Sequence, residues 1–252
     1  MADAEPRDAA TVVLLRDGDA GIEAWLLTRI RQLVFAGGMA VFPGGRVDAA
    51  DADLPFADAA LPDAPTRTGG SDVQARAIVG AAIRELFEET GVLLSTPIAD
   101  LRARRAEVEA GTLDFGALLR SHGLVADPAP LRPWSRWVTP AGEVRRYDAR
   151  FFVCALPDGA EPADVTTESA SAAWFGVAAA IEQAQRGELG LLPPTLVTLS
   201  SIAEFAAVDE VLAAAGERSL EPVQPVIRLD GDDLRVELPD GRLMPIPRSL
   251  LA

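Results

Sequence analysis

The sequence predicts a mixed α/β fold. Three observations predict it: paired apolar runs around a glycine-bearing turn near the start, a long helix marked at both ends between Ser71 and Gly91, and a return to apolar runs of strand length at Ser135–Thr139 and Arg150–Leu156. With 252 residues, 49% of them hydrophobic, the chain can bury the core of one large domain or two small ones.

The elements follow in order. Thr11–Leu15 is apolar and β-branched, Arg16-Asp17-Gly18-Asp19-Ala20-Gly21 is a turn signal, and Ile22–Leu27 is apolar again, which reads as a β-hairpin. A short strand then runs into Pro43-Gly44-Gly45, where glycine permits close approach of other groups. Residues 49–70, rich in Asp, Ala, Pro and Gly, read as a surface loop with at most a short helix. Ser71 and Gln74 form a capping-box pattern that opens a helix running to Thr90, with Gly91 as its stop. Ile78, Ala81, Ala82, Leu86 and Phe87 give that helix its buried side. Two short helices are expected at Ile98–Glu109 and Leu113–Leu119, inside a helical insert of about residues 98–124. Beyond the two later strands, Ser171–Phe175 reads as another strand and Val177–Arg186 as a helix. Pro193-Pro194 opens a helix expected to reach Ala215, and Val223–Leu243 reads as a hairpin turning near Asp230 to Asp232.

Net charge is −15 and all the basic side chains besides one histidine are arginine. Such an acidic protein is a poor partner for long nucleic acids or anionic membranes, whose affinity comes from displaced counterions. Small phosphates need only a local arginine cluster. No apolar run is long enough to span a bilayer, and Met1–Asp8 lacks a secretory pattern, so a soluble cytoplasmic protein is expected. The single cysteine, Cys154, lies in an apolar run and reads as a buried strand residue, which excludes a disulfide framework or thiolate zinc site.

The most informative stretch is Arg84-Glu85-Leu86-Phe87-Glu88-Glu89-Thr90-Gly91-Val92. Glu85, Glu88 and Glu89 stand at i, i+3 and i+4 and share one helix face. Three like charges side by side repel, and a divalent cation is the best account of why they are there. Arg84 stands four residues before Glu88, within reach of an intrahelical ion pair.

Together with Gly45, this stretch resembles the signature of the Nudix hydrolases. Its second half, Arg-Glu-aliphatic-x-Glu-Glu-x-Gly-aliphatic, is matched at every specified position. In the family the arginine follows the glycine by fourteen places, whereas here Arg84 follows Gly45 by 39. Counting forward from Gly45 to the family's first glutamate reaches Asp51, and counting back from Arg84 reaches Arg76. The insertion, Phe42-Pro43-Gly44-Gly45-Arg46-Val47-Asp48 and Trp137-Val138-Thr139-Pro140 resemble a branch similar to coenzyme A and acyl-CoA diphosphatases. Leu26-Leu27-Thr28 also resembles that branch's coenzyme A motif, although Ile30 and Val34 stand where it carries arginines.

The resemblance implies an αβα sandwich with a mixed central sheet, helical insertions and a C-terminal helix plus β-hairpin extension. It places the Nudix domain at 1–190 and the extension, packed on the same domain, at 191–252. It implies hydrolysis of a nucleoside diphosphate linked to another moiety, with CoA or acyl-CoA favoured over ADP-ribose, NADH or dinucleoside polyphosphates. It implies Mg²⁺ or Mn²⁺ held by Glu85, Glu88, Glu89 and the carbonyl of Gly44 or Gly45, with Arg84 orienting the glutamates. The base falls to Glu88, Glu89 or Glu168. Substrate phosphates are expected at Gly45, Arg29, Arg31, Arg46, Arg145 and Arg146, with Tyr147, Trp134 or Trp137 stacking a base. A homodimer is compatible with the apolar C-terminal segment. The reading from another class is a Nudix-fold binding module without catalysis.

Overall fold

The computed structural model describes residues 4–30, 38–57, 70–163, 169–230 and 233–245. The opening hairpin is β1 (Arg7–Gly18) and β2 (Gly21–Arg29), both longer than their apolar cores, and Gly18 opposite Gly21 leaves Asp19-Ala20 as the turn. β3 (Ala40–Val41) and β4 (Gly44–Arg46) flank Pro43, and a 3₁₀ turn over Ala49–Asp53 leads toward α1 (Asp72–Thr90). The insert holds β5 (Ser95–Thr96), α2 (Arg105–Glu109), α3 (Phe115–Ser121) and β6 (Val125–Ala126), with a 3₁₀ turn at Arg102–Arg104. Ile98 is non-helical and exposed, so the first insert helix is shorter than expected. Then come β7 (Arg132–Val138), β8 (Tyr147–Ala155), β9 (Ser169–Gly176) and α4 (Val177–Gln185). The C-terminal part holds α5 (Pro193–Ile202), α6 (Val208–Ala214), β10 (Pro222–Val223), β11 (Val226–Asp230), β12 (Asp233–Glu237) and β13 (Leu243–Pro245).

Among the described residues the main sheet has eight strands, ordered β10-β7-β8-β1-β2-β3, with β4 also on β1 and β9 on β2. It is mixed: β8 runs parallel to β1, and β2 antiparallel to it. Strand alternation builds the layers. Val12, Leu14, Trp25, Leu27, Phe152 and Cys154 point to one face, where α1 and the insert cover them. Val13, Leu15, Ala24, Leu26, Phe151 and Val153 point to the other, under α4, α5 and α6. This is the αβα sandwich. Burial pushes the Cys154 thiol up to about 12, fitting the expected inert core residue.

Three local expectations need correction. Ser71 Oγ accepts from the Gln74 backbone N–H at 3.2 Å, but Gln74 does not return the bond, because its amide donates to Asp8 Oδ2 at 2.7 Å. The expected single helix from Pro193 to Ala215 is two, α5 and α6. The chain breaks there because Asp17, on β1, accepts from the Val208 N–H at 3.0 Å and caps the second helix. The tail is a three-stranded sheet, with β13 on β12 and the turn positions 231–232 outside the described residues. Among the described residues no helix is long and apolar enough to cross a membrane.

Candidate active site

α1 runs as predicted to Gly91, whose left-handed φ of 75° and N–H bond to Phe87 O close the helix. Ile78, Ala81, Ala82, Leu86 and Phe87 are all buried. Its last two turns carry Arg84, Glu85, Glu88 and Glu89. The Gly44-Gly45 loop, pinned by β4 pairing to Ala10 and Thr11 of β1, crosses this end. The Gly44 N–H donates to Glu89 Oε2 at 2.8 Å. Gly45 lies so near Glu85 that a Cβ there would stand 2.5 Å from Oε1 and would push the carboxylate out of its place on Arg84.

Arg84 is the hub. Its Nε and Nη2 donate to the two oxygens of Asp51 at 2.8 and 3.0 Å, a two-pronged pair. Nη1 donates to Glu85 at 2.7 Å and to Glu88 at 3.3 Å, while Nη2 also reaches the Arg46 carbonyl at 2.9 Å. Asp51 is 1% exposed, so the expectation of a surface loop fails at this residue. Gly80 on α1 makes this possible: a side chain there would collide with the Asp51 carbonyl. Asp51 is thus the position reached by counting forward from Gly45, and Arg76 instead stacks over Phe56. Arg105, unnoticed in the sequence, is buried and joins the insert to α1 by donating to the Glu88 carbonyl at 2.5 Å and to Glu109 at 2.8 Å.

The electrostatics are lopsided. Four carboxylates crowd one guanidinium, and Glu88 and Glu89 lie in the last helical turn, the end that disfavours negative charge. Burial, with repulsion from Asp51 and Asp48, raises the Glu85 pKa although Arg84 opposes the shift. Glu88 is pushed up to about 7, by burial first and by the Glu85 charge, again against Arg84. Burial alone would lower the Arg84 pKa, but the Asp51 hydrogen bond and the charges of Glu85 and Glu88 hold it above its ordinary value.

The donor set fits a hard divalent cation: several carboxylate oxygens, an excess of negative charge, and a glutamate that a nearby cation would return to its ionised form. Among the described residues no three acidic, histidine or cysteine side chains converge as a ready-made metal cluster. Glu85 and Glu88 turn to Arg84, and Glu89 to the Gly44 N–H.

Arg46, Arg146 and Tyr147, expected at the substrate, line one cleft of about 770 Å³ together with Arg7 and Arg145. Arg29 is not among its lining residues: it ends β2, where its N–H bonds to the Met39 carbonyl. Arg31 and Glu168 lie outside the described residues. Trp134 and Trp137, 1% and 5% exposed, are core residues and cannot stack on a nucleobase. Trp134 instead packs under Arg218 and donates to Ser201.

A mixed-sheet sandwich with this Arg-Glu helix against a Gly-Gly loop is the arrangement of a Nudix pyrophosphohydrolase. The NUDT19 Nudix domain family matches residues 68–202, and the chain belongs to it. It is similar to the acyl-coenzyme A diphosphatase NUDT19 of Gallus gallus, at 28% identity over 95% of this chain and 80% of the relative. The Homo sapiens protein of that name is 28% identical over 88% of this chain and 72% of its own. Among solved structures, a Nudix hydrolase from Alicyclobacillus acidocaldarius superposes with a TM-score of 0.71 at 28% identity, covering 88% of this chain and all of the other. Nudix hydrolases as a class use divalent metal ions.

Proposed function

We propose that the chain hydrolyses the diphosphate bond of acyl-coenzyme A and of coenzyme A itself. The relatives' names support the substrate class, and the observation that carries the chemistry is the Arg84 hub with Glu85 and Glu88, beside Glu89 on the Gly44 N–H. Glu85, Glu88, Glu89 and the Gly44 carbonyl would hold Mg²⁺ or Mn²⁺, which when bound supplies charge neutralisation and acidifies water. Arg84 fixes the glutamates and is a positioning residue. Glu88, on the same helix face as Glu85 and within reach of the Arg84 guanidinium, is the first candidate to take a proton from the attacking water. The water oxygen bonds to phosphorus, the bridging P–O bond breaks with its electron pair on the leaving phosphate, and the proton passes to the carboxylate and then to solvent. Coenzyme A then yields adenosine 3′,5′-bisphosphate and phosphopantetheine, which keeps its acyl group when the substrate is a thioester. Glu89 and Glu168 are the other bases to test. Gly45, Arg46, Arg146 and Tyr147 form the substrate side, and Arg29 and Arg31 stay candidates for the substrate's phosphates.

The test is phosphate-coupled turnover of CoA, acyl-CoA, NADH, ADP-ribose and dinucleoside polyphosphates with Mg²⁺ or Mn²⁺. The highest kcat/KM is expected for CoA thioesters. Preference for ADP-ribose would overturn the substrate, and turnover of none of them would overturn the enzymatic reading in favour of a binding module.

A further inference from the structure

We infer that the cleft bearing Arg7, Arg46, Arg145 and Arg146 is a phosphomonoester site, which selects nucleotides carrying a phosphate beyond the diphosphate that is cleaved. For its substrate the inference rests on the diphosphatase reading above.

The sheet builds the cleft. β4, β1 and β8 are neighbours, Ala9 faces Arg46, Arg7 faces Tyr147, and the Arg7 N–H bonds to the Arg146 carbonyl at 2.9 Å. Two strands and the segment that leads into β8 therefore deliver their arginines to one place, in a cavity of about 770 Å³, the size of a nucleotide-sized ligand site.

Its charge is what stands out. Among the described residues Glu5 is the one acidic residue on the lining, in a protein of net charge −15. The carboxylates on the same strands are engaged elsewhere: Asp8 with Arg150 at 2.6 Å, and Asp148 with Arg136 at 2.6 Å. Arg146 is steadied by carbonyls, donating to Thr139 O at 3.2 Å and Ala4 O at 3.0 Å, which fix the guanidinium without neutralising it. Arg7, Arg46 and Arg145 are exposed. Gathered this way, they make a local positive potential that draws an anion.

Position supplies the rest. The Arg46 carbonyl accepts from Arg84, and its neighbour Gly45 abuts Glu85, so the cleft begins where the carboxylate cluster ends. The cleaved diphosphate would be served by cations held on the glutamates, and neither ribose nor base needs a cation. Four guanidiniums beyond that point match another dianion, and a phosphomonoester carries roughly −1.5 to −2 at neutral pH with oxygens suited to the guanidinium fork.

Two measurements decide it. In calorimetric titration with Mg²⁺ present, adenosine 3′,5′-bisphosphate should bind about tenfold more tightly than 5′-AMP, and Arg7→Gln or Arg145→Gln should erase that margin. In kinetics, the same variants should lower the CoA to dephospho-CoA ratio of kcat/KM by about tenfold, with melting temperature unchanged. A wild-type protein that does not distinguish the bisphosphate from AMP, or variants that lose CoA and dephospho-CoA equally, would overturn the site. If no diphosphate is hydrolysed at all, the activity reading falls, yet the titration still decides whether the cleft prefers the extra phosphate.

Discussion

Two neighbouring regions border the β1–β4 pairing with opposite arrangements of charge. At the end of α1, carboxylates outnumber the single guanidinium of Arg84, and the side chains of Asp51, Arg84, Glu85 and Glu88 are only 2 to 16% exposed. In the cleft, four arginines face one glutamate, most of them in contact with solvent. Burial explains the difference. A desolvated charge without a partner is costly, so the cluster has hydrogen bonds arranged before any ligand arrives. Solvated guanidiniums tolerate one another because water screens them, so the cleft needs no internal partner. On the proposed reading the cluster serves stability and chemistry together, while the cleft serves the ligand alone.

Substitutions should separate the two roles. The largest effect is expected from Glu88→Gln, which should lower kcat/KM by about a thousandfold and weaken Mn²⁺ binding in calorimetry. Because it removes a buried like charge, the metal-free variant should melt no lower than the parent. Asp51→Ala should cost about 2 kcal/mol by removing the two-pronged hydrogen bond to Arg84, which keeps Glu85 and Glu88, a fall in melting temperature of about 4 to 8 °C by calorimetry. A small change there would mean that the hub is not a stabilising element.

The next effect is on pH. Glu88 is raised to about 7 from 4.5, so below that pH the folded protein holds a proton that a cation must displace. Metal affinity should then fall about tenfold for each unit of pH below 7, with about one proton released per ion bound. The same sign applies to stability: without metal, the raised value favours the folded state below pH 4.5, and that contribution is lost as pH rises through about 7. The smallest effect should be that of Arg145→Gln on folding, within about 0.5 kcal/mol by thermal melting. A larger loss would erase the contrast between the regions.

The sequence made α1 legible because its signals are local: a serine cap, apolar spacing, and glycine at the stop. The glutamate face was readable for the same reason. Asp51 was not, since its burial depends on the room that Gly80 leaves on another element, and a loop of Asp, Ala and Pro looks solvated whichever way one aspartate turns. The break between α5 and α6 escaped because its cap, Asp17, lies 191 residues away. Trp134 and Trp137 showed aromatic chemistry but not orientation, and α5 and α6 pack over them. Arg7 carried no motif, and the parallel register with β8 is what brings it beside Arg146.

That register has a practical side. The Ala4 carbonyl is tied to Arg146 at 3.0 Å, so Ala4 stands at the rim of the cleft. An affinity handle fused at the amino end, especially a polyanionic or histidine-rich one, would sit at the doorway of the nucleotide. Fusions for purification or immobilisation belong at the opposite terminus.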